Sequence, residues 1–284
     1  MFMPLPQSFG WVDIIGAPFY AHDEEPVTVA ARLRHAVAIL SSLLVFGSAV
    51  AAPDEIQVYT GEMDDPGEFG LELHVNWVPD GAKKPSYPGE KPSNHMLQVT
   101  PEFSYGITKE WEAGLYVPFA MAPDGSTYNN GLRGRIKFVP EHREDGGFYW
   151  GFNTEVGYFN RRVSESFWGM ELRPILGYDD GVWMASFNPI LDLNLSSNAG
   201  KQPNFEPAFK LGRTVVEGVR AGFEYYGNFG PLAHISPANE RAHYLFGVLD
   251  INRGDIDLNI GIGKGYQAAT DQWVVKAIVA LPFK

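Results

Sequence analysis

The feature that most constrains this chain is an alternation of apolar and polar residues, in segments of about ten, that recurs from Phe69 onward. Successive side chains of a β-strand point to opposite faces, so this pattern predicts strands with one apolar and one polar face. About ten residues is also the length of a tilted strand that crosses a bilayer. In the first segment, FGLELHVNW, Leu71 and Val75 share the apolar face, while Glu72 and His74 share the polar one.

Segments of this kind succeed one another along the whole C-terminal part of the chain. They are 69–77, 96–107, 111–119, 131–139, 149–158, 167–178, 182–195, 205–213, 218–226, 242–251, 256–266 and 273–283, and the one at 242–251 alternates least clearly. Connections after odd-numbered segments are mostly long and those after even-numbered ones mostly tight, as in outer-membrane barrels. The sequence therefore predicts an all-β fold, a transmembrane antiparallel up-and-down β-barrel of about 12 strands with both termini in the periplasm.

Tryptophans near the ends of the segments support a barrel in a bilayer. In a soluble β-sandwich core, large aromatic residues would sit in mid-strand as often as at strand ends. Here they fall near strand ends on the apolar face, as in the aromatic girdle that contacts outer-membrane lipids and lipopolysaccharide. The predicted girdle consists of Trp77, Trp111, Trp150, Trp168, Trp183 and Trp273.

One long apolar run, residues 36–52, lies before the barrel segments. Arg32 and Arg34 precede it, and the small residues Ala49-Val50-Ala51 close it. This arrangement predicts a signal peptide at 27–51, and the run is short for the alternative, a membrane anchor. Residues 1–26 contain acids that signal peptides disfavour, so we predict that they are not translated or not part of the mature fold. The barrel would then occupy 67–284 in the outer membrane of a Gram-negative bacterium.

Composition alone resembles that of a soluble acidic protein, with a mean hydropathy of -0.16 and a net charge of -12. Alternation explains this, because only every second residue of a spanning strand faces lipid. The absence of cysteine excludes disulfides and thiolate metal sites. No histidines show metal-ligand spacing, and GIGKG at 261–265 lies inside a strand pattern rather than before a helix. We therefore expect no metal, no cofactor and no nucleic-acid partner.

Polar residues of the segments, assigned by alternation, form the predicted lumen. Charged groups there would be costly anywhere except in a wet interior. The candidate lumen-lining residues are Arg133, Arg135, Lys137, Arg173, Lys210, Arg220, Lys276, Glu72, His74, Glu102, Glu112, Glu155, Glu171, Asp192, Glu206 and Glu224. Residues 52–66, rich in acids, should stay in water, either in the periplasm or inside the lumen as a short plug.

Three cations form a ladder on one face of the fourth segment. Arg133, Arg135 and Lys137 span about 13 Å at about 3.3 Å per residue. Burying them against hydrocarbon would cost about 2 to 4 kcal/mol each, so the ladder should face the lumen. Two interpretations stay open. Neighbouring strands neutralise the ladder through Glu112, Glu155 and Glu171, or part of it draws small anions such as organic carboxylates through the barrel.

These features predict an outer-membrane channel or uptake pore for a small solute, with small organic or aromatic acids as one class of cargo. A filled structural or adhesive barrel without transport is one alternative, because twelve strands enclose little space. A lipid hydrolase or acyltransferase embedded in the barrel is another. It requires a serine within reach of an oriented histidine, and no serine motif supports it, so we expect no enzyme. The sequence leaves the oligomeric state open.

A resemblance rests on DEIQVYTGEMDDPGEFGLELHVNWVPDG near the mature N-terminus, on TPEFSYGITKEWEAGLYVPFA and on the aromatic C-terminal strand. These stretches resemble a group of uncharacterised proteobacterial outer-membrane β-barrels, similar to the transporter-like barrels of meta-pathway phenol degradation. The resemblance implies the fold, uptake of a solute, and recognition of the C-terminal strand by the barrel-insertion machinery. Such barrels usually end on an aromatic residue, whereas here Lys284 follows Phe283.

Overall fold

The computed structural model describes residues 55–281, except 141–145, 197–201, 255 and 270. The predicted signal peptide, residues 1–26 and the last three residues lie outside the described part. Within that part no helix is both long and apolar enough to cross a membrane. The strands are β1 (Phe69–Asp80), β2 (Leu97–Gly106), β3 (Trp111–Tyr116), β4 (Phe119–Met121), β5 (Thr127–Asn129), β6 (Gly131–Phe138), β7 (Gly147–Phe159), β8 (Trp168–Asp179), β9 (Trp183–Asn194), β10 (Asn204–Val216), β11 (Val219–Asn228), β12 (Ala242–Arg253), β13 (Ile256–Gln267) and β14 (Trp273–Leu281), with a 3-10 turn at Ala238–Glu240.

The strands form a single antiparallel sheet that closes on itself. Strand β1 pairs with β2 on one side and with β14 on the other, so the sheet has no free edge at this seam. Strands β3 and β4 both pair with β2 and act as one strand of the wall, and β5 continues β6 in the same way. The wall therefore has twelve strands, which confirms the prediction. The periplasmic position of the termini stays a prediction.

The wall strand made of β3 and β4 is interrupted at Pro118. Proline has no backbone N–H, so it cannot donate to the sheet at this point. Beyond it, the stretch 120–130, which we expected to be a loop, forms the hairpin between β4 and β5. Gly125 turns this hairpin with a φ of 80°, and the Ser126 N–H donates to Asp124 Oδ1 at 2.9 Å. The expectation of a loop was therefore wrong for the strand residues 120–121 and 127–129.

The two ends of the barrel differ in their connections. At one end, called the loop end, long segments such as 81–96 and 229–241 join the strands. At the other, called the turn end, the connections at 107–110, 180–182 and 217–218 are tight. The turn after β8 shows why: Asp180 Oδ1 accepts the N–H groups of Val182 at 2.9 Å and Trp183 at 2.7 Å. Aspartate and glycine favour such turns, and Gly181 has a φ of 82°.

The outer face of the barrel is apolar and aromatic. The six girdle tryptophans are all exposed, between 41% and 52%. Several lie in aromatic pairs across neighbouring strands, including Trp111 with Phe138 at 4.5 Å between ring centroids and Tyr158 with Trp168 at 5.6 Å. A closed sheet with an apolar outer face satisfies its backbone hydrogen bonds internally and suits a lipid surround. The architecture therefore places the chain in the outer membrane of a Gram-negative bacterium.

Candidate lumen site

The candidate lumen residues lie at inward positions of their strands. Alternation along β6 turns Arg133, Arg135 and Lys137 inward, while Leu132 and Ile136, at alternate positions, are exposed on the outer face. Inward side chains from different strands meet across the lumen. The buried members of the candidate set are His74, Glu102, Glu112, Arg135, Lys137, Glu155, Arg173, Lys210, Glu224 and Lys276.

Acceptors engage every member of the cation ladder. Arg133 contacts Glu55 at 3.3 Å, and Lys137 Nζ donates to the backbone carbonyl of Glu62. Arg135 lies between two acids, with its Nε 2.6 Å from Glu102 and its Nη1 2.7 Å from Glu112. The ladder is therefore a paired structure, and two of its acceptors belong to the segment before β1.

The three acids expected to neutralise the ladder differ in their partners. Glu112 forms an ion pair with the ladder, through Arg135. Glu171 pairs with Arg173 instead, at 2.5 Å, and Glu155 accepts hydrogen bonds from Asn153 at 2.9 Å and from Tyr59 at 3.0 Å. Glu102, which sequence reasoning did not assign to the ladder, takes the place that we expected for them.

A second charged cluster lies on the opposite side of the lumen. Glu224 pairs with Lys276 and, at 3.2 Å, with Lys210, and Lys210 also contacts Asp250 at 2.7 Å. The Asn259 amide donates to Asp250 at 2.6 Å. Sequence reasoning missed Asp250 because β12 alternated poorly, although β12 is a regular strand that turns Phe246, Val248 and Asp250 inward.

Residues 55–66, called here the plug segment, lie inside the barrel. Ile56, Val58 and Tyr59 are no more than 4% exposed, although they precede the first strand. Val58 packs against Ile190 and Ala208, and Ile56 belongs to an apolar cluster on the β12 and β14 side. The segment therefore occupies the middle of the lumen, where water would otherwise reach the inward charges.

Tyr59 anchors the plug segment at mid-depth. The centre of its ring lies 4.1 Å from the Arg173 guanidinium, and its hydroxyl donates to Glu155 and bonds Tyr116. Burial, together with the neighbouring Glu155, raises the pKa of the Tyr59 phenol, so the group stays a neutral donor. Nothing in the alternation pattern pointed to this residue, because it lies outside every strand.

Two inward glycines leave room for the base of the plug segment at the turn end. A Cβ added at Gly106 would lie 2.2 Å from the backbone oxygen of Asp65, and one at Gly70 would lie 2.7 Å from Asp64 Oδ2. A side chain at Gly106 would force the backbone of the segment to shift, and one at Gly70 would displace the side chains of Ser104 and Asp64. Glycines on the polar face of β1 and β2 were the one sequence signal that could have favoured a plug.

A cavity of about 470 Å³ lies beside the plug segment, toward the turn end and against strands β9 to β14. The basic residues lining it are Lys210, paired with Glu224 and Asp250, and Arg220, paired with Asp179 at 3.0 Å. The acids that line it are Glu62, Glu72, Glu217, Glu224, Asp250 and Asp257. The cavity is therefore polar and carries an excess of negative charge.

Glu72, His74 and Glu102 lie close enough together to hold a metal ion. His74 Nε2 is 2.9 Å from Glu102 and 3.6 Å from Glu72. Arg135 already contacts Glu102 at 2.6 Å, so a cation there would compete with a guanidinium. The three residues fit the ion-pair network of the lumen better than they fit a metal centre.

Histidines and serines do not form a hydrolytic site in the described part of the chain, where no serine hydroxyl hydrogen-bonds a histidine. His243 lies on the outer-facing side of β12, and its Nδ1 bonds the Tyr225 hydroxyl at 2.6 Å. A phenol in that position does not supply the serine nucleophile that a barrel lipase requires.

No protein-family description matches the sequence, and no curated protein matches it. Among solved structures, the chain is similar to the NanC porin, with 10% identity over 75% of this chain and 99% of that one, at a TM-score of 0.51. It is also similar to an outer-membrane channel from Pseudomonas putida F1, with 14% identity over 81% of this chain and 100% of that one, at a TM-score of 0.54. Outer membrane phospholipase A from Escherichia coli aligns at 13% identity over 84% and 98%, with a TM-score of 0.44, too low to bear on function. The similarities to the porin and to the channel establish an outer-membrane barrel fold.

Proposed function

We propose that the protein is an outer-membrane channel for a small solute and that the plug segment closes it. The observation that carries this proposal is the position of residues 55–66 inside the wall, with Val58 and Tyr59 buried at its centre. A barrel that served only as a scaffold could fill its lumen with wall side chains alone. Here a segment outside the wall fills the lumen, and such a segment can move out of it.

The wall does not depend on the plug segment for its backbone hydrogen bonds. Strand β1 pairs with both β2 and β14, so the sheet closes independently of residues 55–66. The backbone groups of Tyr59 bond the side chains of Ser186 and Asn188 instead of a strand. Withdrawal of the segment therefore breaks side-chain contacts and leaves the backbone hydrogen bonds between the strands intact, as expected of a local opening.

The paired cation ladder bears on the class of solute. While the plug segment is in place, Glu55, Glu102 and Glu112 neutralise Arg133 and Arg135, so little of the cation ladder is available to attract organic acids in the closed barrel. The resemblance to meta-pathway barrels fits an uptake role but names no solute for this chain. The Tyr225–His243 contact offers no support for a lipid hydrolase, so we propose that the protein is not an enzyme.

Deleting residues 52–66 tests the proposal directly. We expect single-channel conductance in a planar bilayer to rise several-fold, because the apolar contact of Val58 with Ile190 and Ala208 no longer blocks the lumen. Folding of the variant is checked by its faster migration on unheated than on heated denaturing gels. An unchanged conductance in a folded variant would contradict the plug.

A cross-link tests the same point in the full chain. The natural sequence has no cysteine, so Val58→Cys with Ala208→Cys can form only one intramolecular disulfide. We expect the oxidised form to stay closed at every voltage and the reduced form to open. The single variants serve as controls, and opening of the oxidised form would show that solute passes without movement of the plug.

A further inference from the structure

Asn188 recognises the backbone of the plug segment. Its side-chain Oδ1 accepts the Tyr59 N–H at 2.7 Å, and its Nδ2 donates to the Tyr59 carbonyl at 3.1 Å. The Ser186 hydroxyl donates to the same carbonyl at 2.6 Å. In extended chain one residue presents its N–H and C=O to the same side, so the Asn188 amide takes the place of a neighbouring strand. Asn188 is completely buried.

Three wall cations bind other carbonyls of the same segment. Lys276 Nζ donates to the Ile56 carbonyl at 2.8 Å, and Arg173 donates to that of Gln57 at 3.1 Å. Lys137 binds the carbonyl of Glu62. Contacts of this kind engage the peptide backbone whatever its side chains are, so they select for an extended peptide and not for one sequence.

The surroundings of the plug side chains add a preference for certain side chains to this backbone recognition. Ile56 lies in an apolar cluster with Val78 and Phe246, and Val58 lies against Ile190. The Tyr59 ring stacks on the Arg173 guanidinium. Apolar side chains at alternate positions, followed by an aromatic one, would therefore fit the site best.

We infer that the lumen is a binding site for short extended peptides, and that such peptides are the solute class of the channel. This inference rests on the proposed plug, which is then the built-in occupant of a general peptide site. A tethered segment competes at a high effective concentration, so a free peptide enters only when the tether is cut or the segment withdraws.

The test cuts the tether after folding. A protease site replaces residues 66–68, which are the last residue of the plug segment and the two residues before β1, all exposed, and the full chain is folded before cleavage. A fluorescent peptide with the sequence of residues 55–62, EIQVYTGE, is then added. We expect this peptide to replace the cleaved plug segment in the cut barrel, so that its fluorescence anisotropy rises and conductance is blocked. The uncut barrel should not bind it. A scrambled peptide of the same composition should bind at least about tenfold more weakly.

Asn188→Ala in the cut barrel should weaken peptide binding about tenfold or more, because two hydrogen bonds to the backbone are lost. Asn153→Ala is the matched control: Asn153 is also a buried lumen asparagine, but its amide donates to Glu155 and not to the plug segment. No binding of the peptide of residues 55–62 to the cut barrel, or equal affinity in the two variants, overturns the peptide site, whereas equal binding of the scrambled peptide would remove only the preference set by the side chains. Failure of the proposed channel looks different, because conductance would then be unchanged by deletion of the plug.

Discussion

The two sides of the lumen differ in how far their charged side chains are buried and paired. On the side of β6 and β8, Arg135 and Arg173 are buried and Arg133 is partly buried, and all three lie against acids or against the plug segment. On the side of β9 to β14, a cavity of about 470 Å³ leaves acids such as Asp257 in contact with water. The comparison teaches that inward charge alone does not identify a conduction path. Paired charges such as those of the packed side contribute to structure, while the exposed acids of the open side, such as Asp257, set the electrostatic potential of the remaining space.

The largest expected effect comes from reversing charge on the packed side. Arg133→Glu with Arg135→Glu places two new carboxylates against Glu55, Glu102 and Glu112. Breaking a buried ion pair costs about 3 to 5 kcal/mol, so we expect a large loss of thermal stability, measured as the temperature at which the fast-migrating form disappears from gels.

Arg220→Glu is the control on the open side. Arg220 pairs with Asp179 at 3.0 Å, and both side chains are partly exposed, at 19% and 34%. A partly exposed pair of this kind contributes about 0 to 1 kcal/mol. If the double variant on the packed side melted like the parent and instead shifted the reversal potential toward cations, the ladder would be free and the comparison would fail.

A smaller effect is expected when acids of the open side are neutralised. Asp257→Asn with Glu217→Gln removes two negative charges from the cavity wall. We expect the ratio of cation to anion permeability to fall, because negative walls concentrate cations, while unfolding changes by no more than about 0.5 kcal/mol. Reversal potentials in a salt gradient measure the ratio, with Glu240→Gln in an exposed loop as control. An unaltered ratio would mean that ions follow another route.

The smallest effect concerns pH and the base of the plug segment. Burial, with Glu112 as a neighbouring charge, raises the pKa of the Asp64 carboxyl. A raised carboxyl pKa means that the docked segment favours the protonated form, so this group strengthens docking at low pH and weakens it as the pH rises through that raised value. We expect Asp64→Asn to reduce the increase in opening between acidic and neutral pH. If opening of the variant depended on pH as in the parent, groups other than Asp64 would cause that dependence.

Sequence and structure agree best in the wall strands, where alternation of apolar and polar residues is the one rule that matters. Alternation located all twelve strands of the wall to within a few residues, because a strand between lipid and a wet lumen must alternate. The poorest pattern, at β12, hid Asp250, since Tyr244 and Phe246 turn large aromatic side chains into the lumen beside the plug segment. Apolar residues that pack on a plug look, in sequence, like residues that face lipid.

The sequence by itself determined the barrel, its strand number and the inward position of the cation ladder, because these follow from a period of two and from the cost of burying charge in lipid. Only the tertiary structure decided which charges meet. Partners such as Arg135 and Glu102 are 33 residues apart, and Lys276 and the Ile56 carbonyl are 220 apart. Their contact depends on how the sheet closes and on where the plug segment lies, and no local pattern encodes either of these.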